Sequence, residues 1–550
     1  MVTALSRCRR DLLRHVGRGL LLLPAVWPMC MAHAQDSVQL TVRQGDTLIG
    51  ITQRYLDASI RWPQLQRLNH VGNPRALPIG SSLRVPVQWL RWDELSANVA
   101  FVQGAVTVNA AAVGVGTALK AGDRLDTGTL GSVTLRFADG AVVVFAPMTQ
   151  ATLGVVREAP ALGIRSTRID LQRGALDTTA APLQKPASRF EIHTPRVVTA
   201  VRGTRFRVEV EGEVSRHEVV TGQVALTGSD LAAVPVGPGQ GVRAQAGQLG
   251  AVAQLPGAPD LSALPTLVER TAQLLEIAPM AQASGWHWQV ASDSAFVQLL
   301  QDVRTPVPAW LLTGLPDGVY QLRVRVADGQ ELEGAEARHT LRISARPEPP
   351  VLIAPTTGAS VVPGARLAWA QLPDAPTTWL QIARDPGFRE LVLERPGTGG
   401  DGLQLEPTVP PGAYYWRLAT QRRDASRGPF GDAARFTLLG PSSVAPPRLA
   451  DGGLQLAWTG PAGFRHRVQL ARDAVFARFE LDEVVPGSGL NLPDPAPGIY
   501  FVRTQVVLPD GSSGPWSAVQ QFEVPSPPPP PPPAKPFPWP LLMILLLPFL

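Results

Sequence analysis

The chain has 550 residues, ten per cent of them proline, far more than one hydrophobic core can serve, so several domains are expected. Its formal charge of +5 is local: five arginines against Asp11 in residues 1–34 account for +4, and a near-neutral remainder argues against nucleic acid as a partner. Both cysteines, Cys8 and Cys30, lie in that same stretch, which excludes a disulfide, a thiolate metal site or a cysteine nucleophile from the rest.

Residues 1–34 read as a signal peptide. Arg7, Arg9, Arg10, Arg14 and Arg18 form a basic n-region, Leu20 to Val26 a short apolar run, and Ala32-His33-Ala34 a cleavage site. The run is too short, and too interrupted by Pro24 and Pro28, to span a bilayer. Export to the periplasm, with a mature chain beginning at Gln35, is the expectation. Trp27-Pro28-Met29 ahead of Cys30 lacks the small residues of a lipoprotein signal.

Residues 38–88 form the next unit. Val38, Leu40 and Val42 alternate with polar neighbours, as a half-buried strand does. Gly45-Asp46 is a turn pair, and Asp46 or Thr47 can cap the helix that follows. Leu48, Ile51, Tyr55 and Leu56 share one face of that short helix. A second helix is expected over Trp62 to Leu68, ending near Asn69, and Gly80 and Pro86 bracket a closing strand. The run Val-Arg-Gln-Gly45-Asp-Thr-Leu48, with Asn73-Pro-Arg-Ala-Leu-Pro-Ile-Gly80 behind it, resembles a LysM module, a βααβ unit. The resemblance implies binding of peptidoglycan, a glycan containing N-acetylglucosamine, in a shallow groove between two loops. On this chain those loops are Gly45, Asp46, Thr47 and Leu48, facing Asn73, Pro74, Leu77, Pro78, Ile79 and Gly80. Gly45, Asp46, Pro78 and Gly80 are equally turn formers, and both readings stand at this point.

After a connector around Trp89 to Leu95, residues 98–230 read as all β. Val133, Leu135 and Phe137 alternate with polar residues, Asp139-Gly140 makes a tight turn, and Val142 and Val144 resume the pattern, which predicts a hairpin. Gly122-Asp-Arg-Leu-Asp-Thr-Gly128, and Thr194-Pro195 followed by Val201-Arg202-Gly203-Thr204 and an alternating strand, resemble the FecR domain. The resemblance implies sensing or protein interaction, with the ligand left open. Proteins of that family in iron-uptake signalling hold a sigma factor through a cytoplasmic N-terminal segment, where this chain carries its leader, so direct sigma-factor control is doubtful. Arg202 is expected to clamp backbone carbonyls from a buried position, the alternative being a ligand contact.

Residues 257–525 hold three copies of one pattern, at a period of about 90 residues that suits a small β-sandwich. Each has an alternating strand, an Asp-x-x-Phe turn at Asp293, Asp385 or Asp473, and a Gly-x-Tyr strand leading to Tyr320, Tyr414 or Tyr500. The copies occupy 257–345, the most divergent, then 348–438 and 446–525, and resemble tandem fibronectin type III domains. Ser262 to Ile277 is expected as a helix with Leu267, Leu274 and Ile277 on one face. Trp369 and Trp458 are expected core residues. Trp286, Trp288, Trp310, Trp379 and Trp416 serve either the core or a sugar platform, with the core favoured.

Residues 526–540 form a proline-rich spacer, a stiff polyproline II rod. The apolar tail 541–550 is too short to span a bilayer, and membrane contact through 537–550 is expected. Neither H-E-x-x-H nor G-x-S-x-G occurs, the six histidines beyond the leader stand alone, and no cofactor or metal is implied. The sequence thus reads as a multidomain, mainly β, non-catalytic envelope protein. It would bind peptidoglycan, meet an unidentified envelope protein and touch no nucleic acid. The alternatives are a periplasmic signalling component and a cell-wall hydrolase.

Overall fold

A computed structural model describes residues 37–533, excepting 184, 371–376, 451–452 and 527. The expected leader and apolar tail lie outside the described residues. Strands dominate the rest, and among the described residues no helix is long and apolar enough to cross a membrane. Internal contacts divide the chain into two compact bodies. One holds residues up to 263 with 276–310 and 321–339, and the other holds 264–275, 311–320 and 340 onward.

The first body begins with the βααβ unit. Strand β1, Ser37–Thr41, pairs antiparallel with β2, Ser82–Pro86, placing Leu40 opposite Leu83 and Val38 opposite Val85. Helices α1, Leu48–Tyr55, and α2, Trp62–Leu68, lie between them in the chain. Thr47 caps α1 by accepting the Gly50 N–H at 3.1 Å. Asn69 closes α2 and ties it to β2, donating to the Arg84 carbonyl at 2.9 Å and accepting the Arg84 N–H at 2.6 Å. Leu48, Ile51, Leu65 and Val85 are buried at the centre.

That core continues into the next domain. Leu90, Ala159 and Ile164 belong to the same apolar cluster, with Trp89, Trp92 and Leu162 packed against it. The connector is held on both sides: Arg91 N–H donates to the Tyr55 carbonyl at 2.8 Å, and Asp93–Glu94 pairs with Arg157 and Glu158. The Arg157 guanidinium lies 4.3 Å from the Trp92 ring centre. The small module is therefore seated on its neighbour, where the sequence suggested only a link.

The β-rich domain closes into a barrel. Its spine is the strand Ile164–Thr179, whose first half pairs with Gln150–Ala159 and, in parallel, with Arg189–His193. Its second half pairs with Val142–Phe145 and Arg205–Glu211. Gly174, at φ +89°, lies where the partners change, and a Cβ there would sit 2.4 Å from Thr149. The expected hairpin is present, Ser132–Arg136 against Val142–Phe145 across the Asp139-Gly140 turn. The sheet runs past residue 230: Ala233–Val236 pairs with Val224–Thr227, and Gln240–Gln245 with Val214–Thr221.

Also in the first body, Gly285–Ala291 pairs with Leu299–Thr305 on one side and with residues 321–327 on the other. In the second body, residues 348–438 and 446–525 each set a three-stranded sheet beside a larger one, as a fibronectin-like sandwich requires. The expected helix over Ser262–Ile277 is not formed: Leu267–Val268 and Ala272–Glu276 are strands. Leu267 and Leu274 are exposed while Val268, Leu275 and Ile277 are buried. Ala272–Glu276 and Ile277 follow a period of two, so the spacing read as one helical face was a coincidence of two strands.

The repeats share one device. Phe296, Phe388 and Phe476 each adopt φ +56° at the end of the Asp-x-x-Phe turn. The guanidinium of Arg323, Arg417 or Arg503 lies over the corresponding ring at 4.4, 3.9 or 4.1 Å, and the same arginine donates to Gln289, Gln381 or Gln469. Each Gly-x-Tyr tyrosine donates its hydroxyl to the carbonyl four residues upstream, Pro316, Pro410 or Ala496. Trp288, Trp369, Trp416 and Trp458 are all core residues.

Candidate glycan-binding site and the FecR motif

The βααβ unit brings its two loops together through backbone bonds. Leu48 N–H donates to the Pro74 carbonyl at 3.3 Å, Gly80 N–H to Val42 at 2.9 Å, and Val42 N–H to Ser81 at 2.8 Å. Gly45 and Gly80 hold φ near +85°, which L side chains resist. Asp46 is committed to its turn, taking the Arg43 N–H at 2.8 Å with Arg54 at 3.7 Å. Thr47 is spent on the helix cap. Asn73 accepts the Arg75 N–H at 3.0 Å, and the Pro78 carbonyl takes both donors of Ser81.

What faces solvent is therefore narrower than the sequence implied. Leu48 is fully buried, so its side chain cannot cover a sugar, and Leu77 packs half-buried against the module's core. Asn73, Pro78, Ile79, Gly45 and Gly80 remain exposed, Ile79 to 70 %. An exposed isoleucine on a hydrogen-bonded loop offers an apolar face beside backbone polar groups, which suits a pyranose ring carrying acetamido substituents.

In the barrel, the Thr194-Pro195 motif is a turn. Thr194 and Val197 exchange backbone and side-chain bonds at 2.9–3.0 Å, closing the hairpin Arg189–His193 with Val198–Val201. Gly203, at φ +71°, passes within 2.9 Å of Pro182 measured from its ideal Cβ, and Thr204 donates to the Gln223 carbonyl at 2.9 Å. Arg202 is exposed, which overturns its expected role as a buried clamp.

The clamps are half-buried Arg205 and buried Arg207, three and five residues on. Arg205 grips Glu336 with two bonds of 2.9 Å. Arg207, 6 % exposed, pairs with Glu218 at 2.7 Å and donates to the carbonyls of Glu333 and Gly334. Across from them His287 lies 2.7 Å from both Asp302 and Glu333, and Arg323 reaches Asp177 at 2.8 Å. The alternation in Arg205–Glu211 did signal two faces, Phe206, Val208 and Val210 inward. It could not signal that the charged face would be covered as well.

The charges answer one another. Burial opposes ionisation of Asp177, yet Arg323, Arg205 and Arg325 outweigh it and hold the carboxyl well below its usual range. Glu336 is likewise pulled down to about 2 against its own burial, chiefly by Arg205 and Arg323. Burial pushes Glu218 up to about 7, with Glu333 adding to the rise. Burial alone takes His217, bonded to Thr199 and Ser215 at 2.9 Å, down to about 3.

Residues 40–86 match the LysM domain and residues 123–225 match the family described as FecR protein. No curated protein matches the chain. Among solved structures, it is similar to a putative anti-sigma factor from Parabacteroides distasonis, at 15 % identity and TM-score 0.21, over 24 % of this chain and 59 % of that one. The chain thus spans about three fifths of that structure. It is also similar to the FN1-FN3 domains of chicken CNTN1, at 15 % identity and TM-score 0.18, over 49 % of this chain and 99 % of that one. The chain therefore carries a LysM domain and a FecR domain within a multidomain, mainly β architecture.

Proposed function

We propose that the protein is a non-catalytic component of the cell envelope, exported to the periplasm, that holds peptidoglycan glycan at the LysM loops and meets an envelope protein through its FecR and β-sandwich domains. The observation that carries the reading is the loop pair 45–48 and 73–80, joined by the Leu48–Pro74 backbone bond, with residues 80 and 81 tied to Val42, and presenting Pro78, Ile79 and two glycines to solvent. The seating of that module on the barrel through Leu90, Trp92 and Ile164 makes it a rigid anchor for the FecR domain.

Glycan hydrolysis is the weaker reading. It needs one protonated and one ionised carboxyl with room for a sugar between them. Glu218 has a raised pKa, but it lies against a cavity of about 30 Å³, too small for a pyranose ring, and its neighbour Glu333 is held in ion pairs. Competition tests the proposal. Soluble N-acetylglucosamine oligomers should release the protein from purified sacculi, and no soluble muropeptide should accumulate. Retention in the presence of the oligomers, or release of muropeptides, contradicts it.

A further inference from the structure

Beside the buried charge layer, within the first body, a cleft of about 790 Å³ opens between the strands around Glu209–Arg216 and those around Trp286 and Arg304. That volume lies in the range of small-ligand sites, about 300–1,000 Å³. Arg173, Arg216 and Arg304 line it together with Glu209, Glu211 and Glu331. Arg216 is 5 % exposed and ion-paired with all three glutamates, and Arg304 lies 3.2 Å from Glu209. His287 and Glu333 also line it and are 2.7 Å apart. Two buried donors on its lining have no protein acceptor: the indole N–H of Trp286, a residue 6 % exposed, and Nε of Arg216.

This chemistry discriminates among ligands. Four glutamates, Glu333 included, repel a polyanion, and three arginines set against them leave little net charge to draw a cation. A lipid or other wholly apolar ligand would cover the charged side chains of the wall without pairing them, which is costly. Alternating guanidinium donors and carboxylate acceptors match a hydroxyl, which donates and accepts at once. Trp286 and Arg216 supply two further donors for hydroxyl, ring or amide oxygens, whose burial unpaired is otherwise costly, about 1–3 kcal/mol each.

We propose that this cleft is a second carbohydrate site, selective for a short neutral oligosaccharide and separate from the LysM loops. Two sites on one compact body give a polymeric glycan two points of attachment, and the second engages at the effective concentration set by the first.

The test is calorimetric titration of the full chain with chitotetraose, alongside Ile79→Asp, Gly329→Trp and Glu331→Gln. Ile79→Asp marks the LysM loops. Gly329 lines the cleft, and a Cβ there meets nothing within 4 Å, so the backbone site has room for a side chain and tryptophan is the bulkiest block to place there. Two sites are expected in the unsubstituted chain. Ile79→Asp should leave one, and adding Gly329→Trp should weaken that one at least tenfold, with Glu331→Gln weakening it severalfold. Loss of all binding in Ile79→Asp, or no binding by the unsubstituted chain, overturns the cleft proposal. So does unchanged affinity when Gly329→Trp is added; if melting shows that this variant fails to fold, unchanged affinity in Glu331→Gln overturns it instead. Binding lost with Gly329→Trp alone, and indifferent to Ile79→Asp, would keep the cleft and remove the LysM reading.

Discussion

Arg323 lies 2.8 Å from Asp177, the two side chains 2 % and 13 % exposed, joining the first repeat to the barrel. In the other repeats the corresponding Arg417 and Arg503 cover aromatic rings and bond a glutamine, and among the described residues neither forms an ion pair. One repeat has thus turned its shared arginine into a clasp. Asp177→Asn should cost about 3–5 kcal/mol, because it removes one of the two carboxylates that Arg205 and Arg323 share and leaves the buried cluster a negative charge short. Arg417→Met, which loses ring contacts and hydrogen bonds to Gln381 but breaks no close ion pair among the described residues, should cost about 1–2 kcal/mol. Urea denaturation of both variants checks the ordering, and equal costs would contradict it.

Acidification should loosen the barrel through His217. Burial lowers its folded pKa to about 3, below the usual 6.5, so the folded state refuses a proton that the unfolded chain accepts. Its contribution is whole above pH 6.5 and is lost, at up to about 1.4 kcal/mol per pH unit, as pH falls from there toward 3. Glu218, raised to about 7, works in the opposite sense, its contribution present below pH 4.5 and lost as pH rises through 7. The comparison with His217→Gln therefore isolates the histidine: melting curves from pH 7 to 4 should show the stability gap between variant and parent narrowing or reversing toward acid. A gap that stays constant with pH would remove this account of His217.

Gly174→Ala should destabilise by about 2–4 kcal/mol, since its φ of +89° disfavours a side chain and the new methyl would strike Thr149. Alanine at Gly212, also at positive φ but with open space around its Cβ, should cost about 1 kcal/mol. Thermal unfolding separates the two. A cost at Gly174 no larger than at Gly212 would mean that the spine strand does not need its close approach to Thr149.

The connector offers another check. Trp92 packs against the apolar cluster shared by module and barrel, and carries Arg157 over its ring. Trp92→Ala should free the βααβ unit without unfolding it, so limited proteolysis should begin cutting between residues 87 and 95 while both fragments stay compact. Continued resistance there would show that the shared cluster does not depend on Trp92.

The sequence carried the local architecture well where one face meets water. Leu48, Ile51 and Leu56 showed the first helix by spacing, and Asp139-Gly140 showed its hairpin by turn chemistry. The same rules failed where a second surface intervenes. In Arg205–Glu211 the arginines look like part of a solvated face, yet Arg205 is held by Glu336 and Arg207 is buried against the Glu333 carbonyl. Arg202, singled out because it interrupts an apolar run, lies in a turn and points outward. Leu48 fitted the groove by position in its motif, yet α1 needs it in the core. A one-dimensional pattern records which faces differ in polarity, not what comes to cover them.

The central claim is that the exposed loop edge at Ile79 holds peptidoglycan. Its most direct test is co-sedimentation of the full chain with purified sacculi, beside Ile79→Asp, a substitution on a side chain 70 % exposed that leaves the shared core untouched. The account predicts that the parent pellets with the sacculi and that Ile79→Asp shifts at least tenfold more protein to the supernatant while its melting temperature is unchanged. Equal pelleting of the two, or no pelleting of the parent, would contradict it.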